Sequence, residues 1–174
     1  KIVQDLRDFS RSDTAQQWQA ADLHMGLDST LNIASNEIKY RADVRREYGR
    51  LPLVECLPSQ LNQVFLNLLV NAAQAMGEAR GRITIRTGRK RERVWVEIED
   101  NGKGIATKDL TKIFDRFYRT DASRNSTRGG SGIGLSIVKK ILEDHGGKVW
   151  ATSKEGVGTT MYFVLRKYQE VPVS

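Results

Sequence analysis

Two periods of apolar residues divide the chain. Ile2, Leu6 and Phe9 stand at i, i+4 and i+7 and predict a helix over 1–12, after which the polar stretch 13–19 reads as a linker. A short strand is expected over 18–23, then a helix over 28–38 capped by Asp28 or Ser29. Residues 37–47 alternate as a strand does, with Ile38, Tyr40, Ala42 and Val44 on one face. A further strand over 51–56 carries Pro52 near its start, where edge geometry tolerates it. The most apolar helix, 63–76, begins just after Pro58-Ser59. Strands over 83–87 and 94–99 pair across 88–93, a connection with a basic tip. A helix opens at Leu135 and is ended by Gly146-Gly147, and strands over 148–153 and 159–166 form a last hairpin. This order fits an α/β (α+β) two-layer sandwich, a mixed β-sheet packed on about three helices.

Two glycine clusters interrupt the pattern. Asp100-Asn101-Gly102-Lys103-Gly104-Ile105 follows a strand, and Gly129-Gly130-Ser131-Gly132-Ile133-Gly134-Leu135 precedes a helix. Glycine lets another molecule approach the backbone where a Cβ would collide, so both places suggest contact with a ligand. Asp100 at the strand end would offer a carboxylate to an exocyclic amine. The Gly132 and Gly134 amides at a helix N-terminus would favour a phosphate. Between the clusters, residues 120–128 are too polar to be core and read as a mobile lid.

The helix over 63–76 adds a third signal. Gln63, Asn67 and Asn71 form one amide stripe at i, i+4 and i+8 on an otherwise apolar helix. Such a stripe is either a buried hydrogen-bonding network or a set of neutral oxygen donors suited to Mg²⁺ that also carries phosphate and water.

Composition narrows the picture. The 174 residues, 39% hydrophobic and 28% charged, suffice for one well-buried domain. A net charge of +7 suits an anionic ligand or an acidic partner, but the basic residues are scattered and form no strip for nucleic acid. Cys56 is the only cysteine, which excludes a disulfide framework and fits a reducing cytoplasm. No apolar run of membrane-spanning length occurs, so this chain is expected to be cytoplasmic, although a longer parent protein could still be membrane-anchored.

Together these stretches resemble the catalytic, ATP-binding domain of two-component sensor histidine kinases, in the superfamily that also holds gyrase, Hsp90 and MutL ATPases. Residues 67–76 are similar to its N box, Asp100 to Gly104 to its G1 box, 113–119 to its F box and 130–135 to its G2 box; Gly158-Thr159-Thr160 matches its last glycine-threonine motif. The resemblance implies a Bergerat-type ATP-binding fold over 20–168 with a mobile lid, a remnant of the dimerisation and phosphoacceptor hairpin over 1–12, a linker over 13–19 and a tail over 169–174. It implies ATP and Mg²⁺ as cofactors. Asp100 would receive the adenine amino group, with Gly102, Gly104, Ile105 and Thr159 around the adenine edge. Asn67 would ligate the metal, with Asn71 and Gln74 toward the phosphates or ribose. Phe114 and Phe117 would anchor the lid, Gly130, Ser131, Gly132, Ile133, Gly134 and Leu135 would line the phosphate side, and Arg119 or Arg128 would reach the γ-phosphate.

The implied activity is transfer of that phosphoryl to a histidine on the hairpin, then to an aspartate of a cognate response regulator. A non-catalytic, nucleotide-sensing interaction module is the alternative. The gyrase-like ATPases place a glutamate base one turn before the metal-binding asparagine, where this chain has Gln63, whose neutral amide cannot take a proton; rapid hydrolysis is therefore disfavoured. Neither histidine stands in the acceptor context. His145 is expected to cap a helix C-terminus and interact with its dipole, and His24 to sit at a strand end.

Overall fold

The computed structural model describes residues 17–116 and 134–167. The readings of 1–12, most of the linker, the 120–128 lid and the 169–174 tail lie outside the described residues. Five strands form a mixed sheet in the order β2 (Ala42–Tyr48), β4 (Gly81–Lys90), β5 (Arg93–Asp100), β7 (Gly158–Arg166), β6 (Lys148–Lys154). The β2–β4 pair is parallel and the remaining pairs are antiparallel. A separate ribbon joins β1 (Gln19–Ala21) to β3 (Val54–Cys56). Three longer helices, α1 (Leu23–Ile33), α3 (Pro58–Gln74) and α5 (Gly134–Asp144), accompany the short turns α2 (Ser35–Ile38) and α4 (Thr107–Leu110).

Strand alternation decides which face is covered. Val94, Val96 and Ile98 of β5 sit in register beside Leu165, Phe163 and Met161 of β7, and all six are buried. Onto them pack Val64, Phe65, Leu68, Leu69, Ala72 and Ala73 of α3, with Val138 and Leu142 of α5 completing the layer. Phe65 and Phe163 meet across it with ring centroids 6.1 Å apart. The opposite face is partly wet: Arg86 reaches Glu47 at 3.0 Å and Glu99 at 2.8 Å, and Trp150 stacks on Tyr162 at 5.5 Å.

Several expected boundaries move. The helix expected over 28–38 starts at Leu23, because the Asp22 carboxylate accepts from the backbone N–H of His24 at 2.9 Å and caps the first turn. Asp28 is engaged elsewhere, accepting from Arg46 Nε at 3.0 Å and from the Tyr48 hydroxyl at 2.8 Å. His24 thus lies in the first turn of a helix rather than at a strand end, and its ring stacks on Tyr48 at 4.1 Å. The strand expected over 37–47 begins only at Ala42. Ile38 is buried as the last residue of α2, and Tyr40 stands 77% exposed outside the sheet. The strand expected over 51–56 shortens to β3, leaving Pro52 before it. Helix α3 includes Pro58 as its first residue, where a missing N–H costs nothing. The 88–93 connection shrinks to Arg91-Glu92, with Arg91 at φ 59°. Gly88 belongs to β4, in register with Trp95, and is glycine there because a Cβ would collide with the Trp95 indole.

The two ends of the described domain meet at one strand. One edge of β3 pairs with β1, through Gln19 opposite Cys56, and at its other edge the Glu55 N–H donates to the Lys167 carbonyl at 3.1 Å.

Candidate functional site

Asp100 is the last residue of β5 and lies opposite Thr159 of β7. Alternation turns its side chain to the helix-covered face, and it is 7% exposed. One carboxylate oxygen accepts from the Gly102 N–H at 2.9 Å, and the Thr159 N–H also donates to the carboxylate. Burial pushes its pKa up to about 6; the two backbone donors pull against that shift, and neighbouring Glu99 adds to it.

Glycines at this site have structural work of their own. A Cβ on Gly102 would lie 2.5 Å from the Ala75 carbonyl oxygen at the end of α3, and the Lys103 N–H donates to that same carbonyl at 2.9 Å. Gly104 has φ 74°, and a Cβ there would strike the Lys154 carbonyl; one on Gly158 would strike the Asp100 carbonyl. The sequence suggested glycines kept clear for a ligand; the structure adds chain-to-chain contacts that require glycine at the same positions. Ile105 is tied to the same turn, its N–H donating to Ser153 Oγ at 2.7 Å. Ser153 Oγ also lies 2.9 Å from the Gly158 carbonyl oxygen and 2.7 Å from Thr159 Oγ1. Ser153 belongs to no motif and was not anticipated. Its one sequence signal is its place across the final hairpin, in register with Thr159.

The amide stripe of α3 borders this region. Gln63, Asn67, Asn71 and Gln74 are half-buried on a helix whose other faces are core. Gln63 Nε2 donates to Asn67 Oδ1 at 2.8 Å, the i,i+4 contact that helical spacing allows. Asn67 Nδ2 donates to the Gly134 carbonyl at 3.1 Å, so the first residue of α5 is tied to the middle of α3. Leu135 follows on α5, half-buried against the core, as is Phe114. Phe117, Arg119, Arg128, Gly130, Ser131, Gly132 and Ile133 lie outside the described residues. The stripe, the Asp100 network and the start of α5 are thus brought together around α3, whose middle touches Gly134 and whose end supports the loop after Asp100.

Among the described residues no group of three or more histidine, cysteine or acidic side chains gathers as a metal site. The oxygens α3 offers are neutral amides, a donor set that fits a hard cation only when phosphates and water complete its shell. No helix among the described residues is long and apolar enough to cross a membrane.

His145 departs from expectation. It is fully buried, and burial lowers its pKa, so it is a neutral ring rather than a cation facing a helix dipole. The capping part of the reading holds: Nδ1 lies 2.8 Å from the Ile141 carbonyl oxygen.

Comparison with known proteins agrees with this geometry. The family described as "Histidine kinase-, DNA gyrase B-, and HSP90-like ATPase" matches residues 56–169. The sensor protein kinase WalK of Staphylococcus haemolyticus is 34% identical over 169 residues, covering 95% of this chain but only 28% of that protein. WalK of Staphylococcus aureus is 33% identical, with 95% and 41% covered. This chain therefore spans less than half the length of these curated relatives. Among solved structures, the catalytic domain of histidine kinase ThkA aligns with a TM-score of 0.76 at 29% identity, over 87% of this chain and 97% of that one. The mycobacterial sensor histidine kinase MprB aligns at 0.74 and 26%, over 87% and 100%.

Proposed function

Since this chain belongs to the histidine kinase-, DNA gyrase B- and HSP90-like ATPase family, we propose that it binds Mg-ATP as the catalytic part of a sensor kinase. It delivers the γ-phosphoryl to a histidine on a separate dimerisation hairpin, for relay to a response-regulator aspartate. The observation that carries this reading is the buried Asp100 carboxylate at the end of β5, beside a loop that rests on the helix bearing the amide stripe. A buried carboxylate with a raised pKa suits an amine-bearing base better than it suits an empty fold. In this reading Asp100 accepts from the adenine amino group, with Gly102, Gly104, Ile105 and Thr159 shaping the edge of the pocket. Asn67 holds Mg²⁺, Asn71 and Gln74 face the phosphates or ribose, and Leu135 with Gly134 begins the phosphate side. The metal, when bound, supplies charge neutralisation at the transferring group. The protein's contribution is position, and the hydrogen bonds of Asn67 to Gln63 and to Gly134 hold its side chain ready.

Replacing Asn67 by alanine is expected to weaken ADP binding chiefly when Mg²⁺ is present. Calorimetric titrations with and without metal check this, and an equal loss in both would remove Asn67 from the metal site. The reading as a whole is tested by adding a separately made acceptor hairpin and ATP, then looking for acid-labile phosphate on the hairpin. Without the hairpin, phosphate release should stay slow, since Gln63 cannot act as a base for water. Saturable ADP binding with no transfer to acceptor hairpins would favour the nucleotide-sensing module instead.

A further inference from the structure

At its far end from Asn67, helix α3 is fastened by a histidine that the proposed chemistry does not use. Leu57, the residue before α3, has an apolar side chain that cannot cap the helix, and Pro58 brings no N–H of its own. The Leu57 N–H donates to His145 Nε2 at 3.1 Å, while the other ring nitrogen lies against the Ile141 carbonyl. These partners fix the tautomer: Nδ1 carries the proton and Nε2 offers its lone pair. One ring thereby ties the start of α3 to the end of α5. The indole of Trp18 covers it, with centroids 4.8 Å apart and planes tilted by 48°. Trp18 immediately precedes β1, and Gln19 pairs with Cys56, the neighbour of Leu57.

The two helices are therefore linked at both ends of the same span. Asn67 lies ten residues beyond Leu57, and His145 lies eleven beyond Gly134, so the two polar ties are each separated by about 15–17 Å of helix. Ties at matched distances on two packed helices resist sliding as well as rotation. We propose that His145 is a positioning residue for the nucleotide site: through Leu57 it sets the axial position of α3 against α5, and hence where Asn67 stands relative to Gly134. Trp18 makes this setting sensitive to how the preceding chain enters the domain. The inference rests on the reading of Asn67 as the metal-binding residue.

Two substitutions separate position from mere stability. A glutamine at 145 can place an amide oxygen near the site of Nε2 and keep the acceptor for Leu57. An asparagine reaches only as far as Nδ1 and leaves that N–H without its partner. The full chain is titrated with ADP, with and without Mg²⁺, as wild type, His145→Gln, His145→Asn and Trp18→Ala, at a temperature where each is folded. His145→Asn is expected to lose about tenfold in affinity with Mg²⁺ and little without it, with His145→Gln close to wild type and Trp18→Ala between them. Equal affinities for His145→Asn and wild type, in folded protein, would overturn the proposal, as would a loss that ignores the metal. If either His145 variant does not fold, Trp18→Ala decides in the same two titrations: no metal-dependent loss would overturn the proposal. Failure of the wild type itself to bind ADP would instead refute the functional reading.

Discussion

Replacing Asp100 with alanine is expected to lower ADP affinity roughly ten- to hundredfold, the loss of a charge-assisted hydrogen bond of about 1.5–3 kcal/mol. The wild-type carboxyl has its pKa raised to about 6, first by burial, so its charge is present at neutral pH and lost on mild acidification. ADP affinity should therefore fall as pH drops through about 6. Because nucleotide phosphates titrate nearby, the checking measurement is the difference between wild type and Asp100→Asn across pH 5 to 8, where only the wild type keeps a carboxylate to lose. A wild-type profile parallel to that of Asp100→Asn would show that Asp100 does not meet the base.

The same group has an opposite effect on the empty fold. Its native pKa lies above the ordinary carboxylate value, so between about pH 4 and 6 the folded state holds more protons than the unfolded state. Stability from this group is fully present below about pH 4 and falls as pH rises toward 6, by about 3 kcal/mol in all. Relative to Asp100→Asn, the nucleotide-free wild type should consequently gain thermal stability on mild acidification while losing affinity, a comparison in which the opposite contribution of buried His145, whose lowered pKa costs stability as pH falls, cancels. Binding and folding ask opposite things of one carboxyl.

Gly104→Ala is expected to destabilise the domain by about 2–4 kcal/mol, since it combines a left-handed backbone with a collision against the Lys154 carbonyl. For a domain of this size that corresponds to a melting-temperature drop of roughly 5–15 °C. The control is Gly77→Ala: Gly77 has nothing within 4 Å and no positive φ, so its substitution should stay within about 0.5 kcal/mol. Thermal melts of the three proteins without nucleotide settle the point. Wild-type stability in Gly104→Ala, accompanied by lost ADP binding, would return the glycine to its sequence-based role as clearance for a ligand.

Glycine 104 also marks where sequence reasoning stops. Its need for special geometry was legible; the object it avoids was not, because Lys154 lies fifty residues away. The amide stripe could be read because helical spacing alone puts Gln63 one turn from Asn67, and the place of Asp100 at a strand end because an alternating run stops there at a glycine turn. Asp28 looked like a helix cap for want of its distant partners Arg46 and Tyr48, and Asp22 took the role by being placed where the chain turns. Gly88 looked like a turn residue until Trp95 was found lying over it. Ser153 gave no signal beyond its place opposite Thr159 in the final hairpin, and its bond to Ile105 joins residues forty-eight positions apart. Periodicity within an element and pairing across a short connection were visible in advance, and contacts between residues distant in sequence were not.

The strand at which both ends of the domain meet has a mechanical consequence. With β1 on one edge of β3 and Lys167 on the other, the first and last described segments are fastened to a single short strand. Loss of that one strand would release both together, so this rim is expected to open as one cooperative step rather than end by end. The five-stranded sheet, which holds none of β1, β3 or Lys167 in its own strand order, would keep its register through that step.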